Sequence, residues 1–274
     1  LRLLQKHGHQ PIVLLGGGTT RIGDPSGKSN ERNLLDEATL RHNQEAIKAQ
    51  LARFLDFTSA EANAAELVNN YDWMKEFSFL DFIRDVGKHI SVNYMLAKDS
   101  VKSRLETGMS FTEFSYQLVQ GFDFYYLNQH KGCIVQLGGS DQWGNIVNGV
   151  ELIKRYSNKH VYGLTTPLIT LASGAKMGKT ESGAVWLDKR FLSGYDYWQF
   201  WRNIDDRDVL KFLKIFTDIA LEEIETVKDK NINELKILLA NKTTALLHGD
   251  EEAKKSEETA KQTFEGRVLG DNLP

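Results

Sequence analysis

The chain has 274 residues, of which 41% are hydrophobic and 26% charged, and its formal net charge is -3. This is the composition of an ordinary globular protein, and it excludes a basic field over the whole surface, so a nucleic-acid partner would have to bind local patches. No apolar run approaches the roughly 18 residues of a membrane span. Cys133 is the single cysteine, which excludes an internal disulfide and favours a reducing compartment.

The first two thirds of the chain alternate short apolar runs with glycine loops and helical segments. Strands are predicted at residues 11–15, 133–137 and 167–171, and the first two run into glycines. Helices are predicted at residues 34–55, 76–86, 91–106, 111–129 and 142–156. Strands that end in glycine loops and are separated by helices indicate an α/β fold with a parallel sheet, whose ligands bind at the carboxyl ends of the strands.

The character of the sequence changes near residue 190. Residues 205–262 have helical periodicity and many charges, and they contain no β-branched run. A separate helical domain is therefore predicted after about residue 190. The chain starts at Leu1, within what reads as the last turns of a helix, and it stops at LGDNLP, so we expect it to be a fragment.

The first glycine loop, GGGTTRIGDPSGK at residues 16–28, matches neither common phosphate-binding fingerprint. Arg21 stands where the dinucleotide fingerprint requires glycine, and Asp24 follows Gly23 where a Walker A loop requires lysine. One interpretation is a surface loop with solvated charges. The other is a site in which Asp24 binds a cation while Lys28 and Arg32 bind a polyanion.

A polar stripe is predicted on the helix that follows Ser110, where SFTE fits the capping-box pattern. Tyr116, Gln120 and Asp123 are spaced so that they share one helical face. The stripe is either a solvated face or a recognition surface for a small ligand that carries an amine and a hydroxyl, because buried polar atoms need partners.

The sequence GGSDQWGN, residues 138–145, is the most specific signal in the chain. Two glycines allow the backbone to approach a ligand closely. Asp141 follows a predicted strand, which is a position from which a carboxylate can bind a ribose diol.

The sequence SGAKMGKT, residues 173–180, ends like a Walker A loop but has Ser173 where that motif has glycine. The following residues, ESGAVWLD, indicate loop and strand, whereas a Walker A lysine begins a helix. Lys176 and Lys179 are better interpreted as mobile cations that meet phosphate during a reaction. The seven histidines show no zinc-ligand spacing, so no protein-held metal is predicted.

Taken together, the motifs IGDPSGK, NNYDW, GKHISVN, SFTEFSY, GGSDQWGN and KMGKT resemble the bacterial-type tyrosyl-tRNA synthetases, which are class I aminoacyl-tRNA synthetases. The resemblance covers essentially the whole chain. It implies a Rossmann-like, parallel-sheet nucleotide-binding catalytic domain at residues 1–190, with a helical insertion at about 60–130. An all-helical domain that contacts the tRNA anticodon arm is implied at residues 191–274.

The resemblance also implies a role for individual residues in the activation of tyrosine by ATP. Asp24, Tyr116 and Gln120 match the residues that hold the ammonium group of tyrosine, Asp123 the acceptor of its phenol hydroxyl, and Thr19 and Asn70 supporting positions of the pocket. Gly139 and Asp141 match the ribose contacts of ATP, and Gln142 a contact near the reacting carboxylate. Lys28, Arg32, Lys176, Lys179 and Thr180 match the mobile groups that stabilise the departing pyrophosphate.

Further expectations follow from the same resemblance. ATP is expected with Mg²⁺, the other partners are tRNA(Tyr) and a second copy of the chain, and neither a membrane nor DNA is an expected partner. The expected location is the cytoplasm, or alternatively an organellar matrix.

The sequence also departs from the family. The HIGH-type motif, the strand before it and the small C-terminal RNA-binding domain of the family have no counterpart in the 274 residues. The chain alone is therefore expected to be nearly inactive. Two alternatives stay open, a non-catalytic RNA-binding paralogue and a tryptophan-specific relative.

Overall fold

A computed structural model describes residues 1–22, 36–98, 101–102, 108–180 and 183–265. Packing divides the chain into two units. The first comprises Leu1–Lys48 and Phe57–Leu168, and the second comprises Ala49–Asp56 and the chain from Ile169 onward. The packing division falls earlier than residue 190, and the functional domain boundary near that residue stays a prediction.

The first unit contains two pairs of parallel strands with helices between them. Its strands are β1 (Ile12–Leu15), β2 (Glu66–Asn69), β3 (Val135–Gly139) and β4 (Tyr162–Thr166). Its helices are α1 (Arg2–Lys6), α2 (Thr19–Ile22), α3 (Glu37–Leu51, which continues into the second unit), α4 (Tyr71–Met74), α5 (Phe79–Asp85), α6 (Val92–Leu96), α7 (Phe111–Lys131) and α8 (Trp143–Ser157). Short 3₁₀ helices lie at Gly87–His89 and Ser140–Gln142.

The pairing of these strands is parallel throughout. Ile12 lies opposite Glu66 in the pair β1–β2, and Val135 lies opposite Tyr162 in the pair β3–β4. Each pair is connected by a crossover that contains helices, as parallel strands require. The α/β class and the parallel arrangement predicted from the sequence are therefore confirmed, and the described strands of this unit form two separate pairs.

One predicted strand is wrong and one strand was not predicted. The third strand lies at Tyr162–Thr166 instead of residues 167–171. It ends before Pro167, whose ring nitrogen has no N–H to donate to a strand ladder. Strand β2 was missed because Glu66–Asn69 is short and half polar. Of the helix predicted at residues 91–106, the structure describes Val92–Leu96 as an α-helix, and residues 99–100 and 103–106 lie outside the described part.

Helices α7 and α8 approach each other closely at two glycines. A Cβ atom on Gly149 would lie 2.8 Å from Cβ of Phe124, and one on Gly121 would lie 3.1 Å from the backbone nitrogen of Gly149. Nearby, Asn148 Nδ2 donates a hydrogen bond of 2.7 Å to Gln117 Oε1 in the buried interface. This contact fixes α7, which carries the predicted polar stripe, against the helix that follows the Asp141 loop.

The second unit is built mainly from helices, in agreement with the prediction for residues 205–262. They are α9 (Gly194–Arg202), α10 (Asp206–Phe216), α11 (Leu221–Val227), α12 (Ile232–His248) and α13 (Asp250–Glu265), and a short antiparallel pair joins β5 (Lys179–Thr180) and β6 (Gly183–Ala184). Trp198, Phe212 and Leu239 are at most 2% exposed in its core. Among the helices that the structure describes, none is long and apolar enough to cross a bilayer.

Candidate functional site

A buried carboxylate, Asp123, lies in the middle of α7. Its side chain is 1% exposed. Its Oδ2 atom accepts a hydrogen bond of 2.9 Å from Asn70 Nδ2, and its Oδ1 atom accepts one of 2.9 Å from Trp73 Nε1. Burial raises the pKa of Asp123 from its usual 3.8 to about 7, while the two donors act to lower it.

This pKa has a defined effect on stability. Because the folded pKa lies above the unfolded one, the contribution of Asp123 to stability is fully present below pH 3.8 and is lost as the pH rises through about 7. Above that range the folded protein contains an ionised carboxylate that is desolvated. The donors Asn70 and Trp73 are both neutral, and they stabilise that charge without cancelling it.

Asn70 is positioned by the loop after β1. It follows strand β2 directly and is 1% exposed. Its Oδ1 atom accepts a hydrogen bond of 2.7 Å from Gly18 N, and its Nδ2 atom also lies 3.3 Å from Thr19 Oγ1. A hydrogen-bonded chain therefore links Thr19, Asn70 and Asp123 across the carboxyl ends of β1 and β2, where ligands of parallel sheets bind.

The other two residues of the polar stripe lie on the same helix as Asp123. Tyr116 is 9% exposed and Gln120 is half-buried. Both fall within the helix Phe111–Lys131 at the predicted spacing, so the three side chains share one face. The alternative of a solvated face is wrong for Tyr116 and Asp123.

A second cluster lies at the carboxyl end of β3. A Cβ atom on Gly139 would lie 2.5 Å from Asp141 Oδ1, so a side chain at this position would displace the Asp141 carboxylate. Asp141 is exposed, and its Oδ2 atom accepts a hydrogen bond of 3.4 Å from Gln142 Nε2. In turn, Gln142 Oε1 accepts one of 3.3 Å from Asn145 Nδ2. The cluster presents an exposed carboxylate at the end of a parallel strand, which suits a ligand hydroxyl pair.

The residues of SGAKMGKT belong to two consecutive antiparallel pairings in the second unit. Thr170 pairs with Lys176, and Lys179–Thr180 pair antiparallel with Gly183–Ala184. Lys179 thus lies in a strand, and the Walker A interpretation, which requires a helix there, is excluded. Lys176 is exposed. The structure describes only the backbone of Lys179 and Thr180, and Asp24, Lys28 and Arg32 lie outside the described residues.

One residue of the Asp123 site was missed in the sequence. Trp73 belongs to the motif NNYDW, yet no role was assigned to it. It is 7% exposed and stacks on Tyr126 with ring centroids 4.4 Å apart. A buried tryptophan needs an acceptor for its indole N–H. Because Trp73 is three residues after Asn70, the spacing could have predicted that the two side chains share an acceptor.

The site is marked by converging polar groups and not by cavity size. An apolar cavity of about 590 Å³ in the first unit is lined by side chains such as Phe77, Phe82, Ile90, Met95 and Phe114, and by none of the predicted substrate residues that the structure describes. Within the described part of the chain, no group of three or more His, Cys, Asp or Glu side chains is arranged to hold a metal ion.

Parallel strands with polar groups at their carboxyl ends, followed by a helical unit, define an α/β protein of the class that binds ligands at the strand ends. A family model described as tRNA synthetases class I (W and Y) matches residues 1–265. A tyrosine–tRNA ligase of Pelagibacter ubique is 68% identical over 100% of this chain and 67% of its own length, and one of Parabacteroides distasonis is 56% identical over 96% and 64%. The chain belongs to the class I tRNA synthetase family of the tryptophan and tyrosine enzymes.

A solved structure supports the same relationship. A C-terminally truncated mitochondrial tyrosyl-tRNA synthetase of Aspergillus nidulans superposes with a TM-score of 0.80 at 31% identity, covering 96% of this chain and 80% of that one. The Rossmann-like catalytic fold followed by a helical part is therefore confirmed. The chain spans about two thirds of the length of the curated relatives it matches.

The bond from Trp73 to Asp123 predicts a pH-dependent loss of stability in Trp73→Phe. The substitution keeps an aromatic ring on Tyr126 but leaves Asp123 Oδ1 without its donor. We expect a loss of about 1–3 kcal/mol in the free energy of urea unfolding near pH 8. The loss should be smaller near about pH 5, where Asp123 is protonated. Trp143→Phe is the control, because Trp143 is 50% exposed. Equal losses at the two pH values, or a loss no larger than the control's, would contradict the assignment.

Proposed function

We propose that this chain is the amino-acid-activating and anticodon-arm-binding part of a tyrosine–tRNA ligase. The observation that carries the proposal is the buried Asp123, held between Asn70 and Trp73 at the strand ends of a class I synthetase fold. The proposal is also supported by the relatives, which are named tyrosine–tRNA ligases at 50–68% identity.

Asp123 would select tyrosine through its phenol hydroxyl. Within the described residues, its two oxygens accept one hydrogen bond each, and a carboxylate has room for more. A phenol O–H supplies a further donor to the ionised form, whereas phenylalanine would bury the same carboxylate without that donor. Leaving a buried charge short of a partner is costly, so the pocket should reject phenylalanine. Asp24, Tyr116 and Gln120 are proposed to hold the ammonium group, with Thr19 and Asn70 as support.

The proposed reaction needs positioning and cations more than covalent help from the protein. The tyrosine carboxylate attacks the α-phosphate of ATP, which forms tyrosyl-adenylate and releases pyrophosphate, and the tyrosyl group then passes to tRNA(Tyr). Gly139 and Asp141 would hold the ribose of ATP, and Gln142 would lie near the reacting groups. Lys28, Arg32, Lys176, Lys179 and Thr180 would stabilise the charge that develops on the leaving pyrophosphate. Mg²⁺ is expected to arrive bound to the phosphates of ATP.

The test is amino-acid-dependent exchange of pyrophosphate into ATP by the full-length protein. We expect exchange with tyrosine and little with phenylalanine or tryptophan. Asp123→Asn should lose most of the tyrosine-dependent exchange, because an amide cannot offer the phenol a charged acceptor. Asp72→Asn, at an exposed position in the neighbouring helix α4, is the control and should keep it.

Two outcomes would overturn the proposal in favour of the alternatives. Exchange that depends on tryptophan and ignores tyrosine would identify the tryptophan-specific relative. Absence of exchange with every amino acid, together with retained binding of tRNA, would identify the non-catalytic paralogue.

A second copy of the chain is proposed as a partner, through an apolar face of the first unit. Four large side chains there are strongly exposed, Phe79 at 63%, Leu80 at 75%, Val92 at 59% and Phe111 at 67%. Phe79, Val92 and Phe111 also line the apolar cavity of about 590 Å³. Exposed apolar surface of this extent usually marks an interaction site, and a homodimer is the assembly that the family resemblance implies.

The proposed location of the assembly is the cytoplasm, where tRNA and free amino acids meet.

The dimer is tested by sedimentation of the full-length protein. Phe111→Glu should shift a dimer to monomers at about micromolar concentration, because the new charge would be buried without a partner. Phe191→Glu, at a position that is 63% exposed in the second unit, should stay dimeric. A monomeric wild type, or a dimer that survives Phe111→Glu, would exclude this face as the interface.

A further inference from the structure

Residues 169–177 form a hairpin that carries Lys176 and is held together by backbone hydrogen bonds. Met177 N donates a hydrogen bond of 3.0 Å to Ile169 O, and Leu171 N donates one of 2.8 Å to Ala175 O. Gly174 makes the turn with a φ of +84°, a left-handed conformation that glycine adopts readily. These bonds define the shape of the hairpin but do not attach it to anything else.

Two charged side chains of α10 attach the first arm of the hairpin to the helical unit. Asp208 Oδ2 accepts a hydrogen bond of 2.6 Å from Ala172 N. Lys211 Nζ donates one of 2.6 Å to Thr170 O, and it also lies 2.6 Å from Asp208 Oδ1. The pair therefore binds an N–H and a C=O group of the same arm, two residues apart.

Asp208 is not the N-cap of its own helix. It lies in the first turn of α10, but Asp205 already caps that helix by accepting a hydrogen bond of 2.9 Å from Arg207 N. The side chain of Asp208 is only 2% exposed, and pairing with a cation offsets part of the cost of burying its carboxylate. Its partners are Lys211 and the hairpin backbone, so its burial serves the attachment of the hairpin.

Apolar contacts complete the attachment. Leu171 and Met177, one from each arm, pack against the core of the helical unit that contains Phe212 and Leu213. Lys176, next to Met177, stays exposed. The hairpin thus has one side fixed to α10 and its neighbours, and it presents Lys176 to solvent.

We propose that Asp208 and Lys211 are positioning residues that set the placement of Lys176 and of the following Lys179 during amino-acid activation. The inference rests on the proposed function. A cation stabilises a transition state only where the charge develops, and small displacements reduce the rate strongly. Loosening the hairpin should therefore lower kcat. The tyrosine KM should not change, because the tyrosine pocket is built from residues of the first unit.

The test compares variants of the full-length protein in tyrosine-dependent pyrophosphate exchange. Lys211→Met removes the ammonium group but keeps the length of the side chain, and it should lower kcat by about tenfold or more with an unchanged tyrosine KM. Asp208→Asn should have the same effect. Lys211→Arg should restore much of the rate, since it returns a cation with several donors. The control is Lys214→Met on the same helix, where the lysine pairs with Glu225 at 3.3 Å, and it should leave kcat unchanged.

Hydrogen–deuterium exchange of the hairpin amides gives a readout that does not depend on activity. The amides of Leu171, Ala172 and Met177 should exchange faster in Lys211→Met than in Lys214→Met. A wild type without pyrophosphate exchange would refute the proposed function, while the amide exchange would still report the attachment. Equal amide protection in the two variants, or equal kcat, would overturn the positioning role. A fall in kcat accompanied by a change in tyrosine KM would also overturn it, because the substitution would then act on the tyrosine pocket and not only on the hairpin.

Discussion

The first unit depends on the burial of one carboxylate. Asp123 is almost fully enclosed, and its oxygens are held by the amide of Asn70 and the indole of Trp73. This requirement fixes the end of β2 against α7, and through Gly18 N it also fixes the loop after β1. An α/β fold brings such groups together because the carboxyl ends of its parallel strands lie at the same edge of the sheet. The packing of α7 on α8 at Gly121 and Gly149 then keeps the helix that carries Asp123 in place.

The two units use buried acids in different ways. Asp208 is paired with the cation of Lys211 and with the backbone N–H of Ala172. Both partners belong to the protein, and the pairing attaches the hairpin to α10. Among the residues that the structure describes, the donors to Asp123 are neutral, and burial raises its pKa to about 7. A buried carboxylate without a compensating cation is costly to keep, and such perturbed groups gather at functional sites. The contrast supports a ligand-binding role for Asp123 and a positioning role for Asp208.

The helical character of the C-terminal part was predicted well, because it depends on local composition. The polar stripe of α7 was predicted from spacing alone, but whether it was buried could not be decided until α8 and β2 were packed against it. Strand β2 was missed because a four-residue segment containing Glu66 and Asn69 carries no apolar run. The strand placed at residues 167–171 was wrong by one segment, since Pro167 terminates the true strand.

Two further contacts lay beyond any local pattern. The bond from Trp73 to Asp123 joins residues 50 positions apart, and that from Ala172 to Asp208 joins residues 36 apart. Sequence periodicity reports which face of a helix is apolar, and it contains no information on which distant group meets a polar side chain. The resemblance to the synthetase family supplied roles for Asn70 and Asp123. It assigned none to Trp73, Asp208 or Lys211.

We infer that Asp123 is a buried, titratable acceptor for the phenol hydroxyl of tyrosine. The most direct measurement is the titration of its carboxyl carbon by NMR in protein labelled with ¹³C at the aspartate side-chain carboxyl groups, with the signal assigned by its loss in Asp123→Asn. We expect a midpoint close to pH 7 in the free protein, and a lower midpoint when tyrosine is bound, because the phenol hydroxyl stabilises the ionised form. A midpoint near the ordinary aspartate value of about 4, unmoved by tyrosine, would contradict it.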